Sequence, residues 1–144
     1  MPEITRTLSI PCPAEQVKEV LFSARRLGTL FHTVERTEGN EDEANWFLKT
    51  AFRITLGTPF LKCRFASRTA NTLEWQATAQ YLQWKGRFRL VPKGETETDL
   101  EVHLQIEDTG PLAVPHNALI AVQIGNVLTL FERNLKKALE ACHG

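Results

Sequence analysis

Two hydrophobic periods divide this chain: a period of two recurs in short stretches as far as residue 106, and a helical period takes over from residue 115. In the first stretch Ile4, Leu8 and Ile10 share one parity and Thr5, Thr7 and Ser9 the other, which predicts a half-buried strand over residues 3–10. Arg6 breaks the pattern on the apolar side. Pro11-Cys12-Pro13 ends that strand, and Pro13 with Glu15 behind it opens a helix on which Val17, Val20, Leu21 and Ala24 share a face. A break near Ser23 predicts a second short helix over Arg25–Phe31.

The period of two then returns. Val34–Glu38 is a weak strand, and Gly39-Asn40-Glu41-Asp42 is a turn by composition. Trp46, Leu48, Thr50, Phe52, Ile54 and Leu56 oppose Lys49, Arg53 and Thr55, the cleanest amphipathic strand pattern in the chain. Further inward sets are Leu61, Cys63 and Phe65; Leu73, Trp75, Ala77 and Ala79; and Leu82, Trp84, Gly86, Phe88 and Leu90. After the Pro92-Lys93-Gly94-Glu95 turn come Leu100, Val102, Leu104 and Ile106. Each set alternates with polar partners, so each strand buries one face, and the count is about seven strands. The turn near Gln80–Leu82 carries neither Gly nor Pro. Pro115–Cys142 reads as one long helix, apolar nearly all round in its first half, and such a helix requires apolar surroundings. The expectation is an α+β fold in a single domain, residues 1–144. A curved antiparallel sheet of about seven strands wraps around a long C-terminal helix, with two short helices after the first strand.

Gly86 at an inward mid-strand position permits a bend, and Thr50, Cys63, Ala77 and Ala79 are small residues beside large ones. Either an open cavity lies between sheet and helix, or Trp75, Trp84 and Phe88 fill that space themselves. Shared parity and helix face give the expected lining: Trp46, Leu48, Thr50, Cys63, Phe65, Trp75, Ala77, Trp84, Phe88, Val102 and Leu104 from the sheet, and Ile120, Ile124, Val127 and Phe131 from the helix. Arg6, His32 and Tyr81 are expected at the cavity mouth. Leu119, Val122 and Leu130 lie on the opposite helix face, a patch suited to a twofold homodimer unless the loop 108–114 or the short helices fold over it.

Seventeen basic side chains balance seventeen acidic ones, which removes any global field for nucleic acid or anionic membrane. The basic row Lys85, Arg87 and Arg89 lies opposite the aromatics, so no stacking platform for single strands is built. If the last two strands pair, that row meets Glu101, His103 and Gln105 as cross-strand ion pairs. Cys12, Cys63 and Cys142 are odd in number and lack CxxC spacing, which argues against a disulfide framework or a zinc site and for the cytoplasm. No apolar run reaches the ~20 residues of a transmembrane segment. None of His32, His103, His116 and His143 has a metal partner at helical or hairpin spacing, so no metal or cofactor is expected. Arg6 either snorkels or anchors a carboxylate or phenolate, and Cys63 is either a nucleophile or a small buried filler. The inward sets hold almost no acid or base, which argues against a hydrolase or cyclase and is the chief argument against an enzyme.

The run Ile54-Thr55-Leu56-Gly57-Thr58-Pro59-Phe60-Leu61-Lys62, Gly86 flanked by Trp84 and Phe88, Leu90-Val91-Pro92-Lys93-Gly94 and Leu130-Phe131-Glu132-Arg133-Asn134-Leu135 complete a recognisable series. With the order strand, two short helices, six strands and long helix, the chain resembles the helix-grip fold of the START, Bet v 1 and polyketide-cyclase superfamily. Within it, the chain is similar to the CoxG-like branch, the one associated with carbon monoxide dehydrogenase. The resemblance implies an internal cavity for hydrophobic molecules such as lipids, polyketides, sterols or isoprenoid quinones, in some members with catalysis. The resulting expectation is a non-catalytic carrier or accessory protein for a hydrophobic small molecule. The alternatives are a polyketide cyclase or dehydratase using Arg6, His32 or Tyr81, and a protein-interaction module with a collapsed cavity.

Overall fold

The structure, a computed structural model, describes residues 2–50 and 59–140. Strand β1 (Glu3–Ile10) is followed by helices α1 (Ala14–Leu21) and α2 (Ala24–Gly28). Strands β2 (Val34–Gly39), β3 (Glu43–Leu48), β4 (Phe60–Arg68), β5 (Thr72–Thr78), β6 (Leu82–Pro92) and β7 (Thr98–Asp108) come next. The long helix α3 (Ala113–Ala138) ends the series. All seven strands join one sheet in the order β1-β7-β6-β5-β4-β3-β2, and every neighbouring pair is antiparallel.

The alternation seen in the sequence is what places one face inward. Along β7 every second residue from Thr98 to Asp108 is buried, and β6 shows the same pattern from Leu82 to Leu90. One cross-strand row on that face runs Phe65, Trp75, Gly86, Leu104, Ile4, and a second runs Ala44, Cys63, Ala77, Trp84, Ile106. The first row explains Gly86 better than a bend does. A Cβ there would drive into Cε2, Cζ2 and Nε1 of Trp75, so the missing side chain is the seat of that indole. Helix α3 lies on β7 and β1 and buries Ile120, Ile124, Val127, Leu128, Phe131 and Leu135, a single face at helical spacing.

Several element boundaries depart from the expectation. β3 stops at Leu48, where Lys49 N–H donates to the Thr33 carbonyl (2.9 Å), and the continuation through Phe52, Ile54 and Leu56 lies outside the described residues. Helix α2 ends at Gly28, three residues early. Leu30 and Phe31 bond back to Leu27 and Gly28 in tighter i→i+3 turns, which carry Phe31 inward. Ser23 caps α2 by accepting from Arg26 N–H (3.3 Å). The turn without Gly or Pro is real and short, closed by Ala79 N–H on the Leu82 carbonyl (2.8 Å). At the β2–β3 turn Asn40 Oδ1 accepts from the Asp42 and Glu43 amides. Helix α3 begins at Ala113, ahead of Pro115, so that proline sits in the first turn where its missing N–H has no partner to lose. Cys142 lies outside the described residues. Cys12 is disulfide-bonded, which corrects the expectation of unpaired cysteines and removes their support for a reducing compartment. Cys63 is free and buried.

Candidate functional site

Between the sheet and α3 six aromatic rings converge: Phe31, Trp46, Trp75, Trp84, Phe88 and Phe131, all buried. Phe31 is the hub, with its ring centroid 5.5 Å from Trp46, 5.8 Å from Trp75, 5.2 Å from Trp84 and 5.0 Å from Phe131. Trp46 stands 5.4 Å from Trp75, and Phe88 stands 6.0 Å from Trp75 and 5.8 Å from Phe131. These tilted and offset arrangements suit ring quadrupoles, each pair contributing about 0.5–1.5 kcal/mol beyond area burial. Phe31 does not belong to the lining expected from the sequence. The helical pattern that contains it gives no sign that the chain tightens after Gly28 and turns the ring inward.

The indole N–H groups divide into two kinds. Trp46 Nε1 donates to the Ala24 carbonyl at 2.9 Å. Among the described residues, Trp75 Nε1 and Trp84 Nε1 are buried and have no hydrogen-bond partner. Burial without a partner leaves each donor about 1–3 kcal/mol short of its hydrated state.

The remaining sheet residues of the expected lining sit as follows. Leu48, Cys63, Ala77, Val102 and Leu104 are buried on the inner face, and so are Ile120, Ile124 and Val127 on α3. Phe65 is half-buried, because the register of β4 against β5 shifts between Phe65 and Ser67. Thr50 is corrected: it is exposed beyond the end of β3 and does not share the inner face. Burial pushes the Cys63 thiol up to about 12, so at neutral pH it is a protonated filler rather than a nucleophile.

The antiparallel alternation brings His32, Lys49, Tyr81, Asp108 and the start of α3 to one end of the sheet. His32 is half-buried there. Its burial, and after that the charge of Lys49, hold the imidazole below its ordinary value of 6.5. Tyr81 is 48% exposed and accepts from Gln80 Nε2 (3.1 Å), with its ring against Gly110. Arg6 lies elsewhere, midway along β1, where its Nη1 donates to Thr129 Oγ1 on α3 (3.0 Å). It ties strand to helix.

A polar cluster that no sequence pattern announces closes this end. His116 Nδ1 lies 2.6 Å from Asp108 Oδ2, and Gly110 N–H donates to Asp108 Oδ1 (2.8 Å). Asn117 accepts from Asp108 N–H (2.8 Å) and donates to its carbonyl (3.0 Å). Burial alone would raise the Asp108 carboxyl, but the hydrogen bonds from His116 and Gly110 and the His116 charge outweigh it and hold the group below 3.8. The eight-residue offset between Asp108 and His116 spans a loop, so no period in the sequence could have paired them.

On the outer face Lys85, Arg87 and Arg89 oppose Gln105, His103 and Glu101 across β6 and β7, as expected. Among the described residues of those two rows, Arg89 and Glu101 close to an ion pair (2.9 Å), whereas His103 lies 3.4 Å from Glu3 on β1. An open groove of about 460 Å³ there is bordered by Thr72, Glu74, Arg87, Glu101 and His103, groups of mixed sign with no convergent chemistry. No group of three His, Cys, Asp or Glu side chains able to hold a metal ion occurs among the described residues. On α3, Leu119 and Val122 are 45% and 81% exposed, while Leu130 is half-buried and so is no full member of the outer patch. By length and composition α3 is a candidate membrane span; its inner face, however, is packed on the sheet.

No protein-family model matches the sequence, and no curated protein matches it. Solved structures do match over nearly the whole chain. A START superfamily protein from Mycobacterium smegmatis superposes with a TM-score of 0.74 at 14% identity, covering 96% of this chain and 97% of that one. The di-domain ARO/CYC BexL from the BE-7585A biosynthetic pathway gives 0.63 at 9% identity, covering 94% of this chain and 47% of that one. Norcoclaurine synthase from Thalictrum flavum, in complex with dopamine and hydroxybenzaldehyde, gives 0.62 at 13% identity over 96% of this chain and 86% of that one. The fold is therefore the START-like helix grip, a curved seven-stranded antiparallel sheet closed by a long C-terminal helix and two short ones.

Proposed function

We propose that this chain holds a hydrophobic small molecule between the sheet and α3, as a non-catalytic carrier or accessory protein. The observation that carries the reading is the apolar aromatic cluster around Phe31, placed between the sheet and α3 and bordered on the sheet side by small residues. In this structure its rings, Trp75, Trp84 and Phe88 among them, fill that space in contact with one another, so a ligand is held where rings give way. Burying ~400 Å² of ligand surface would supply ~10 kcal/mol before ordering losses, which leaves room for micromolar affinity. The finer likeness to the CoxG-like branch belongs to this proposal too, and rests on the motifs around residues 54–62, 84–94 and 130–135. Native mass spectrometry of gently purified protein tests the reading: a copurifying apolar molecule is expected. A bare chain mass, together with tryptophan fluorescence that no apolar probe alters, would remove the container role.

A second reading, an enzyme of the cyclase or dehydratase type, draws on the Asp108–His116 pair at the same end of the sheet as Tyr81 and His32. A general base there would supply about 10²–10⁴ in rate. His116→Gln with activity unchanged within a few fold excludes that pair from catalysis.

Self-association through α3 is a further part of the proposal. Leu119 and Val122 are exposed, and Ala113 to Phe131 contains no Asp, Glu, Lys or Arg, so two copies about a twofold axis meet no like charges. Sedimentation is expected to give a dimer that Val122→Glu converts to monomer; a monomeric wild-type protein at high concentration ends this part.

A further inference from the structure

Strand β1 ends the sheet on one side and β2 on the other, and the two edges are built differently. The β2 edge is guarded against pairing. Its register breaks between Val34 and Arg36, α2 packs on it, and Thr37 Oγ1 donates to the Arg25 carbonyl (2.9 Å). β1 instead keeps one unbroken register with β7 from Glu3 to Ile10, and it carries no proline, lysine or bulge.

One bond decides which backbone groups of β1 face outward. Ile106 N–H donates to the Pro2 carbonyl (3.1 Å), and the β1–β7 register carried one residue back sets Pro2 opposite Ile106. Every second pair of an antiparallel ladder bonds, so Ile4, Arg6, Leu8 and Ile10 turn their N–H and C=O groups to β7. Those of Glu3, Thr5, Thr7 and Ser9 point to the open edge, where nothing among the described residues bonds them.

Resting on the self-association proposed above, we infer that the partner is a second copy of this chain whose β1 pairs antiparallel with this one about a twofold axis at Thr7, joining the two sheets into one. Parity and charge select the register. Paired residues must share a face, which leaves two registers that pair seven residues of the strand. Centred on Arg6, the two guanidinium groups would meet. Centred on Thr7, hydroxyl meets hydroxyl in Thr7–Thr7 and Thr5–Ser9 on the outer face, and Ile4 meets Ile10 on the inner one. Arg6, then opposite Leu8, is held by Thr129 of its own helix (3.0 Å).

Helix α3 fits the same axis. A twofold normal to the sheet keeps both helices on one side, and strands about 4.8 Å apart set axes lying over the two β1–β7 pairs about 10 Å from each other, the separation of packed helices. Such an approach needs small side chains. On the β1 side of α3 a side chain on Gly125 would face Ile4 Cδ1, Thr129 meets Arg6, and Ala118 and Val122 continue that stripe at helical spacing. Val122 is 81% exposed, and the stripe carries no charge.

The test combines sedimentation of the full chain with amide exchange at low and high concentration. The Thr5, Thr7 and Ser9 amides should gain protection only where dimer forms, whereas those of Arg6 and Leu8, bonded to β7, should be protected throughout. Thr7→Cys, on the axis, should oxidise to a covalent dimer. Thr5→Cys should not, because its counterpart lies four residues, about 14 Å, along the partner strand. Thr7→Pro removes a donor that serves only the edge and so keeps the ladder with β7. It should weaken the dimer about thirtyfold, as the loss of two net hydrogen bonds does. Crosslinking of Thr5→Cys as readily as Thr7→Cys would overturn the register. A dimer that Val122→Glu dissociates, but whose edge amides stay unprotected and whose Thr7→Cys variant stays uncrosslinked, would overturn the strand pairing and leave self-association through α3. A wild-type protein that is monomeric at high concentration would end both.

Discussion

Cys63 illustrates how burial decides chemistry at a single residue. The thiol is buried on the inner face between Ala44 and Ala77 and pushed up to about 12, so almost no thiolate exists at pH 8. Peptide mapping after iodoacetamide treatment at that pH is expected to find Cys63 unmodified in the native protein and fully modified in denaturant. Labelling of the native protein would mean that the site opens to solvent. Gly86 is a second decisive residue, since any side chain there meets the Trp75 indole. Gly86→Ala should destabilise the fold by about 1–3 kcal/mol, the usual range for overpacking, as measured by urea unfolding. Legibility at this scale followed the physics of parity. Trp46, Trp75, Trp84, Phe88 and Phe131 were readable because a period of two, or of 3.6, fixes the face on which a side chain lies. Phe31, in an irregular turn, and Thr50, past the end of a strand, were misplaced because periodicity says nothing once the element stops.

At the scale of elements, the long helix and the β5–β6–β7 meander were legible as elements, although the helix starts two residues ahead of the expected Pro115 and β5 ends at Thr78, before Ala79. Their sides are unequally wetted, and that inequality is what the sequence records. The attachment of the helix was not legible, because it depends on single polar contacts across a loop. Asp108, at the end of β7, binds His116 and Gly110, and Asn117 brackets its backbone, so the first turn of α3 is pinned to the sheet. Asp108→Asn weakens two of those bonds and should lose about 1–3 kcal/mol at neutral pH. The pH dependence has a definite sign. The folded carboxyl lies below its unfolded value of 3.8, so its contribution is complete above 3.8 and is lost as pH falls through the folded value. Stability curves from neutral to acid pH should therefore converge for the wild type and Asp108→Asn below 3.8. Parallel curves would show that the carboxylate charge is not what holds the loop.

For the whole molecule, the aromatic cluster joins what would otherwise be separate pieces. Phe31 comes from the turn after α2, Trp46 from β3, Trp75 from β5, Trp84 and Phe88 from β6, and Phe131 from α3. Ring contacts therefore bridge the sheet, the helix and the α2–β2 connection at one point. A structure tied in this way should unfold as one unit. Tryptophan fluorescence reports the cluster, whereas far-ultraviolet circular dichroism reports the sheet and α3, and the two urea transitions are expected to coincide. Phe31→Ala should lower the common midpoint, by about 3–5 kcal/mol in stability, with the denaturant slope unchanged. If fluorescence instead changes at lower urea than the dichroism, the cluster opens while the sheet and helix persist. The rings would then be a loosely held filling, and Phe31 would not be the tie between the sheet, α3 and the α2–β2 connection.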